Sequence, residues 1–512
     1  MRALLIYPEW PETYWSFKHA LPFEGKRSAF PPLGLLTVAS LLPKSWEKRL
    51  VDVNVRPLSH ADLQWAEVAL VSAMLVQRES MLEVLARCRA HGLRTVVGGP
   101  ITSCLSDISM YADHVVVGEA EPLMGDLALD LERGTAKPLY RAAQLPTLES
   151  TPLPELGLIN LKYYSSMAIQ YSRGCPFNCE FCDVIEIYGR RSRSKTPTQI
   201  VAELEQLYRH RWRGAVFIVD DNFIGNRRKV KELLPVMADW NARHGRPFNF
   251  YTQASVDLAD DADLLRMMKD ADFTRVFLGI ETPSGESLKE AGKMQNIRRS
   301  LPDSVRHIQN SGLEVMAGFI VGFDNDREDV FEQQVNFIQE NAIPIAMVGL
   351  LQAVPGTQLY RRLEGQNRII SAGRGDNLDC RLNFIPKMDP QRLVDGYRSI
   401  LQRIYRPDIY YRRVRRFLAR WQPASRGCGQ WFSVSDCLAL LRSVVKQGIL
   451  SRYAFSYWAL FLAAATRYRQ SFGVAIRLAI MGYHFQTLTQ RIVSQDIKAR
   501  LSPPENASVP QP

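Results

Sequence analysis

Three of the chain's eight cysteines, Cys175, Cys179 and Cys182, fall within eight residues at the spacing C-x3-C-x2-C. Thiolates this close together are ligands for soft or borderline metals, and iron–sulfur clusters are normally held by four of them. Three local ligands leave one iron of a [4Fe–4S] cluster open. An open iron can bind a substrate or cofactor, whereas a fully ligated cluster mainly carries electrons. The alternative is a structural zinc knuckle completed by a distant Cys or His. Zinc sites usually show a second paired motif such as C-x2-C or H-x3-H, and this sequence has none. Nothing marks the nearest other cysteines, Cys104 and Cys380, as a fourth ligand.

The elements that must position these thiols can be read from the apolar pattern. Met167-Ala168-Ile169-Gln170-Tyr171 reads as a short buried strand, and Gly174 and Pro176 break it into a tight loop. Further strand-like runs at 215–219, 248–254, 275–280, 315–321 and 345–351 alternate with helical patterns at 228–240, 263–269, 302–310 and 329–340. Counted with the strand before the cysteines, these make six βα-like units within 161–388. Six is short of a closed eight-stranded barrel, so a partial (β/α)6 barrel with a wide mouth is expected, and functional residues gather at the carboxyl ends of such strands. The residues placed there are Asp220, Asp221 and Asn222 after the second strand, Gln253 and Ser255 after the third, Glu281 after the fourth, and Gly318, Ile320 and Gly322 along the fifth.

Residues 1–145 also alternate strand and helix patterns. Short apolar strands separated by helices imply a parallel α/β sheet covered on both faces, doubly wound and Rossmann-like, with ligands beyond the carboxyl ends of its strands. Gly98, Gly99 and Gly118 follow strands, where backbone must turn tightly or approach a ligand closely. The long segment 9–31, with Trp10, Tyr14, Trp15 and Phe17, is expected either to cover a cofactor or to pack on the surface. Residues 146–160, rich in proline, read as a linker.

At 512 residues the chain exceeds one ordinary core, and its 46% hydrophobic and 23% charged residues are those of a globular protein. No secretory signal is visible and the cysteines form no disulfide framework, so a cytoplasmic protein is expected. The region 389–500 reads as a basic helical domain: seven arginines and one acid, Asp408, lie between Arg403 and Arg420. Basic amphipathic helices with aromatics lie on the inner face of an anionic membrane or pack over a barrel mouth. The run 454–465 is too short to span a bilayer. No recognised nucleic-acid module accompanies the net charge of +11, so a nucleic-acid partner is not expected. The tail 501–512 is expected to be disordered.

The motif Cys-Pro-Phe-Asn-Cys-Glu-Phe-Cys-Asp, with aromatic Phe181 before the last cysteine, resembles the signature of the radical S-adenosylmethionine (radical SAM) superfamily. Pro-Pro-Leu-Gly-Leu-Leu-Thr-Val-Ala from Pro31, Asp-Asp-Asn-Phe-Ile-Gly-Asn from Asp220, Gly-Ile-Glu-Thr from Gly279 and Met-Ala-Gly-Phe-Ile-Val-Gly-Phe from Met316 extend the resemblance. They cover about 31–386 and are similar to cobalamin-binding radical SAM proteins with an extra helical carboxyl-terminal domain, the hopanoid methylases among them. The resemblance implies a [4Fe–4S] cluster on the three cysteines. It also implies SAM contacts from Phe181, Asp220, Asp221, Asn222, Gln253, Ser255 and Glu281, and adenine packing at Gly318, Ile320 and Gly322. Cobalamin is implied by domain order, beside Gly98, Gly99 and Gly118, although the usual Asp-x-His-x-x-Gly cobalt-ligand motif is absent.

The implied activity is methylation of an unactivated carbon of a lipid or other natural product through methylcobalamin, with electrons from a donor such as ferredoxin or flavodoxin. A methylthiotransferase would need a second cluster in the first domain, where only Cys88 and Cys104 lie. A radical rearrangement, or a zinc-bearing nucleic-acid-binding protein without enzymatic activity, are the other readings.

Overall fold

The protein is described by a computed structural model over residues 1–105, 107–376, 378–422 and 434–494. The tail 501–512 and the last residues of the basic helical region, 495–500, lie outside the described residues. Six parallel strands form the first sheet: β1 (Arg2–Tyr7), β2 (Glu47–Asp52), β3 (Val68–Ser72), β4 (Arg94–Gly98), β5 (His114–Val117) and β6 (Leu139–Arg141). Their order is β2-β1-β3-β4-β5-β6. The runs are apolar on both faces because helices cover both; Ala3, Leu4, Leu5 and Ile6 are all wholly buried. Chain direction across the sheet reverses between β1 and β3, which places the ligand crevice of such folds beyond the carboxyl ends of those strands.

A short strand, β7 (Met167–Ile169), opens the second sheet. A two-residue antiparallel ribbon, β8 (Ser172–Arg173) with β9 (Arg193–Ser194), brackets the cysteine loop and was not foreseen from the sequence. The sheet continues through β10 (Gly214–Ile218), β11 (Phe248–Ala254), β12 (Phe273–Glu281), β13 (Glu314–Val321) and β14 (Ile345–Leu350). The order β14-β13-β12-β11-β10-β7, all parallel, is the expected six-stranded arc. Amphipathic helices pack outside it. The helix Pro197–Arg209 shows how: Thr196 and Gln199 form a capping box, proline sits in the first turn, and Ile200, Leu204 and Leu207 face the sheet at helical spacing.

An arc of six strands leaves two free edges, and the segment 9–31 bridges them. On one side Ser165 and Ser166 N–H donate to the carbonyls of Ser28 and Ala29, extending the approach to β7. On the other, Tyr14 Oη donates to the Val348 carbonyl of β14 at 3.0 Å. Trp15 stacks on Phe217 at 6.0 Å and meets Phe277 at 5.2 Å, and both of these rings belong to barrel strands. Trp10 stays at the first sheet, its N–H on Asn54 and its indole on the Tyr7 hydroxyl, as do Glu9, whose N–H donates to Ser80, and Arg27, which donates to the Val55 carbonyl. Most of the segment therefore packs against the barrel rather than on an open surface.

The carboxyl-terminal region folds into helices Pro390–Tyr405, Pro407–Arg420, Val434–Ser443, Ala454–Thr466 and Phe472–Ser494, with a π-helical turn over Val444–Ile449. The last helix lies against the amino end of the barrel. Arg477 pairs with buried Glu314 at the start of β13, and Phe485 stacks on Tyr405 and meets Tyr14. No helix among the described residues is long and apolar enough to cross a membrane.

Candidate active site

The cysteine loop is anchored from beneath by Asp220, which follows β10 and is wholly buried. Its Oδ1 accepts the Tyr171 N–H at 2.7 Å, and its Oδ2 accepts the Ser172 N–H at 2.7 Å and hydroxyl at 2.6 Å. Burial pushes the carboxyl up to about 7 against those three donors. Asp220 was expected to meet SAM; both of its oxygens are instead engaged in aiming the loop. Asp221 beside it is also pushed up to about 7, by burial and then by the Asp220 charge. Gly174, at φ +90°, makes the turn itself: a Cβ there would lie 2.7 Å from the Arg191 carbonyl oxygen.

Amide donors reach two of the sulfurs. Asn222 Nδ2 lies 3.8 Å from Cys175 Sγ and also donates to Ser255 Oγ at 3.2 Å, joining the ends of β10 and β11 to the loop. Gln295 Nε2 lies 3.8 Å from Cys179 Sγ. Burial and then the Asn222 and Phe177 donors act in opposite directions on Cys175, and burial prevails, pushing the thiol up. Among the described residues no group of three His, Cys, Asp or Glu side chains is gathered closely enough to hold a metal ion. Three thiols with N–H donors directed at sulfur fit an iron–sulfur cluster, whose charge such donors stabilise.

The end of β12 supplies the opposite wall. Its register against β13 breaks between Gly279 and Glu281, and Glu281 takes a left-handed φ of +64°. For a residue other than glycine, such a backbone costs about 1–3 kcal/mol and is held only by its surroundings. Here the Glu281 carboxylate folds back over Gly279, where a Cβ would lie 2.4 Å from Oε1. It accepts from Lys293 Nζ at 2.5 Å. Burial lowers the Lys293 ammonium's affinity for its proton, but Glu281 and then Cys179 outweigh it and hold the ammonium well above the usual lysine range. The turn carrying Lys293 is pressed onto the cysteine loop: Glu180 N–H donates to the Ala291 carbonyl at 3.0 Å, and Gly292 leaves no room for a Cβ against the Asn178 carbonyl.

The remaining barrel residues fall around this wall. Gly318 faces the Phe277 ring, 3.1 Å from where its Cβ would stand. Half-buried Gln253 is in register with Phe277 on the neighbouring strand. Ile320 and Phe181 join Phe323 in a small apolar cluster, with the Phe181 and Phe323 rings 6.1 Å apart. Gly322, at φ +111°, and Phe323 donate N–H groups to Asp326 at 2.8 and 3.1 Å, and burial pushes that carboxyl up to about 6.

The loop also docks on the first sheet. Arg173, two residues before Cys175, pairs with Glu119 at 2.5 Å and Glu121 at 2.8 Å, both just beyond β5. Arg193 pairs with Glu119 at 2.5 Å and donates to the Pro146 carbonyl at 2.6 Å. The two glutamates are almost wholly buried, and truncating one partner of such a network typically costs about 3–5 kcal/mol. The carboxyl ends of both sheets therefore face each other across the thiols. On the first sheet's side, Gly99 at φ +90° packs into Ser72 and Ala73 at the turn after β3, while a Cβ on Gly118 would meet open space.

Sequence reasoning missed Lys293, Gln295, Arg173 and Glu119. Glu119 and Arg173 adjoin Gly118 and the cysteine loop, a positional signal that was there to be used; Lys293 and Gln295 lie in an ordinary turn with no signal of their own.

Comparison with known proteins agrees with this geometry. Residues 169–338 match the radical SAM superfamily model, and 357–498 match a domain family of unknown function. An uncharacterized methyltransferase of Synechocystis sp. is 43% identical over 462 residues, 90% of this chain and 86% of that protein. The hopanoid C-2 methylase of Rhodopseudomonas palustris is 32% identical over 468 residues, 89% of this chain and 88% of that protein. Among solved structures, the cobalamin-dependent SAM radical enzyme OxsB superposes over 98% of this chain and 81% of its own, with a TM-score of 0.62 at 15% identity, a likeness of fold. By its thiolate loop, its six-stranded arc and these matches, the chain belongs to the radical SAM superfamily, in the family that contains the hopanoid C-2 methylase.

Proposed function

We propose that the protein is a cobalamin-dependent radical SAM C-methyltransferase acting on a lipid or other apolar natural product. One observation carries the reading: the cysteine loop faces the carboxyl edge of the first sheet, held there by Arg173 across Glu119 and Glu121. When bound, the cluster with SAM supplies a 5′-deoxyadenosyl radical and cobalamin carries the methyl group. The protein's part is placement. Cys175, Cys179 and Cys182 would hold the cluster; Asn222 and Gln295 would direct N–H groups at its thiolates. Lys293 keeps a fixed positive charge beside them and fixes Glu281. Ser255, Gln253, Asp221 and Glu281 line the strand ends where the polar groups of SAM would lie, and Gly318, Ile320 and Gly322 offer backbone and apolar surface to its adenine. Gly98, Gly99 and Gly118 would border cobalamin. The facing edges would let residues of both walls hold these groups in one space shielded from water, which suppresses side reactions of a radical.

The Rhodopseudomonas relative is named for hopanoid methylation; we infer the same broad substrate class, a reductant such as ferredoxin or flavodoxin, and peripheral contact with a membrane. The test is anaerobic reconstitution with iron, sulfide, cobalamin and a reductant. Formation of both 5′-deoxyadenosine and S-adenosylhomocysteine on addition of a lipid extract is expected. A colourless protein that forms neither sinks the proposal.

A further inference from the structure

Eight of the eighteen large hydrophobic side chains exposed among the described residues lie between Val434 and Leu462. They are arranged, not scattered. Val434, Leu438, Leu441, Val445 and Ile449 succeed one another at steps of three and four along the helix and its π-helical turn, which is one continuous stripe. Their exposures are 78, 43, 59, 41 and 65%. The opposite face does the packing: Ala439, Ser443 and Gln447 are buried, and Arg442 Nη1 donates to the Phe23 carbonyl at 2.9 Å. On the next helix Phe455, 88% exposed, and Leu462 repeat the pattern seven residues apart. Leu450 lies exposed in the turn between them.

Apart from Asp436 in the first turn of the helix, the charges around this stripe have one sign. From Cys437 to Ser494 there is no Asp or Glu, whereas Arg442, Lys446, Arg452, Arg467, Arg469, Arg477 and Arg491 are present. Arg477 is used inside, on Glu314, and Arg491 pairs with Glu12. Arg442 donates to the Phe23 carbonyl and Lys446 lies over the Phe23 and Tyr483 rings, while Arg452, Arg467 and Arg469 are exposed beside the ends of the helix that carries Phe455 and Leu462. A stripe of this size on a protein surface marks an interaction site, and an apolar stripe among cations suits the boundary between acyl chains and anionic headgroups.

We propose that the face formed by 434–462 docks the protein on an anionic lipid bilayer, with Val434, Leu438, Leu441, Val445, Ile449, Leu450, Phe455 and Leu462 entering the headgroup boundary and the basic residues lying among the phosphates. This specifies the membrane contact in the proposed function and rests on that reading. The first helix of this face packs on the short helix Leu21–Glu24, in the same segment that carries Trp15 into the barrel.

The test uses the reconstituted full chain with two kinds of vesicle, pure phosphatidylcholine and equal parts phosphatidylcholine and phosphatidylglycerol. Sedimentation with the anionic vesicles, weakened by added salt, is expected; the double variant Leu441→Glu, Ile449→Glu should bind them at least about tenfold less. Both side chains are exposed, so the variant should fold, and its 5′-deoxyadenosine formation without vesicles should equal that of the parent. Equal vesicle binding by the variant overturns the proposal, as does a parent that ignores anionic vesicles. A parent that self-associates through this face without lipid, with the variant monomeric, makes the occupant a second copy and overturns it too. Loss of 5′-deoxyadenosine in the parent would instead count against the enzymatic reading, leaving the vesicle result to stand alone.

Discussion

The two ends of the barrel are built on opposite terms. At the carboxyl end buried carboxyls stand beside the thiols: Asp220, Asp221 and Asp326 are all raised by burial, whereas positive φ at non-glycine residues occurs at both ends, at Glu281 here and at Arg211, Arg246, Asp272 and Ala342 in the turns entering the strands. At the amino end the same strands are sealed by large rings and an ion pair. Phe217 stacks on Tyr251 at 4.7 Å, Trp15 covers Phe217, and Arg477 closes on Glu314. Buried carboxyls are costly and persist only where the surroundings over-determine them, so the sealed end supplies the stability that lets the open end hold thiols and carboxylates in place. Substitutions at the mouth should therefore remove chemistry while leaving the fold, and substitutions at the floor should do the reverse.

The sharpest break in that comparison is Cys182→Ala. SAM cleavage to 5′-deoxyadenosine should fall below detection and bound iron should drop, while the far-ultraviolet circular dichroism is unchanged; preserved turnover would remove Cys182 from the site. Lys293→Met comes next. Groups that hold or tune metal ligands typically contribute about 10–100-fold, so a loss of that size in 5′-deoxyadenosine rate is expected, with a shifted cluster reduction potential. The potential separates a charge effect from simple misfolding. At the floor, Arg477→Met strands buried Glu314 without its partner and should cost about 3 kcal/mol, read as a lower melting temperature. Its SAM cleavage rate per folded molecule should match the parent.

Why one end was readable and the other was not follows from the same contrast. The thiolate loop and the strand-end glycines depend on rare residue types at fixed spacing, and the strands β10 to β14 include short apolar runs such as Ile345–Leu350, a signal that survives in one dimension. Six strands in chain order were thus visible. Lys293, Gln295 and Arg173 are common residues made important by a turn or by contact with another domain, as when Gly292 presses on Asn178. The segment 9–31 was only half legible for the same reason: its aromatics were visible, but not that the partners of Trp15, Phe217 and Phe277, lie some 200 residues or more away on a different sheet. Asp220 misled differently. Its position at a strand end was right for ligand contact, and only the three donors on its oxygens show that it serves the loop.

Asp220 also yields the finest test of the comparison, because its contribution depends on pH. Its carboxyl titrates near 7 in the folded chain and near 3.9 when unfolded, so the folded state binds more protons between those values. A raised carboxyl stabilises the fold fully below about 4, and that contribution is lost as pH rises through about 7. Asp220→Asn removes the titration and keeps the shape, although its amide cannot accept from all three donors. The variant should therefore be less stable than the parent at both pH 5 and pH 8, with the deficit smaller at pH 8 by about 1–3 kcal/mol. Melting temperatures of the two proteins at the two pH values measure that difference directly. A deficit that stays the same at pH 5 and pH 8 would mean that Asp220 is ionised throughout in both states, its three donors outweighing its burial, and the mouth would then hold a stabilised charge where the comparison places a costly one.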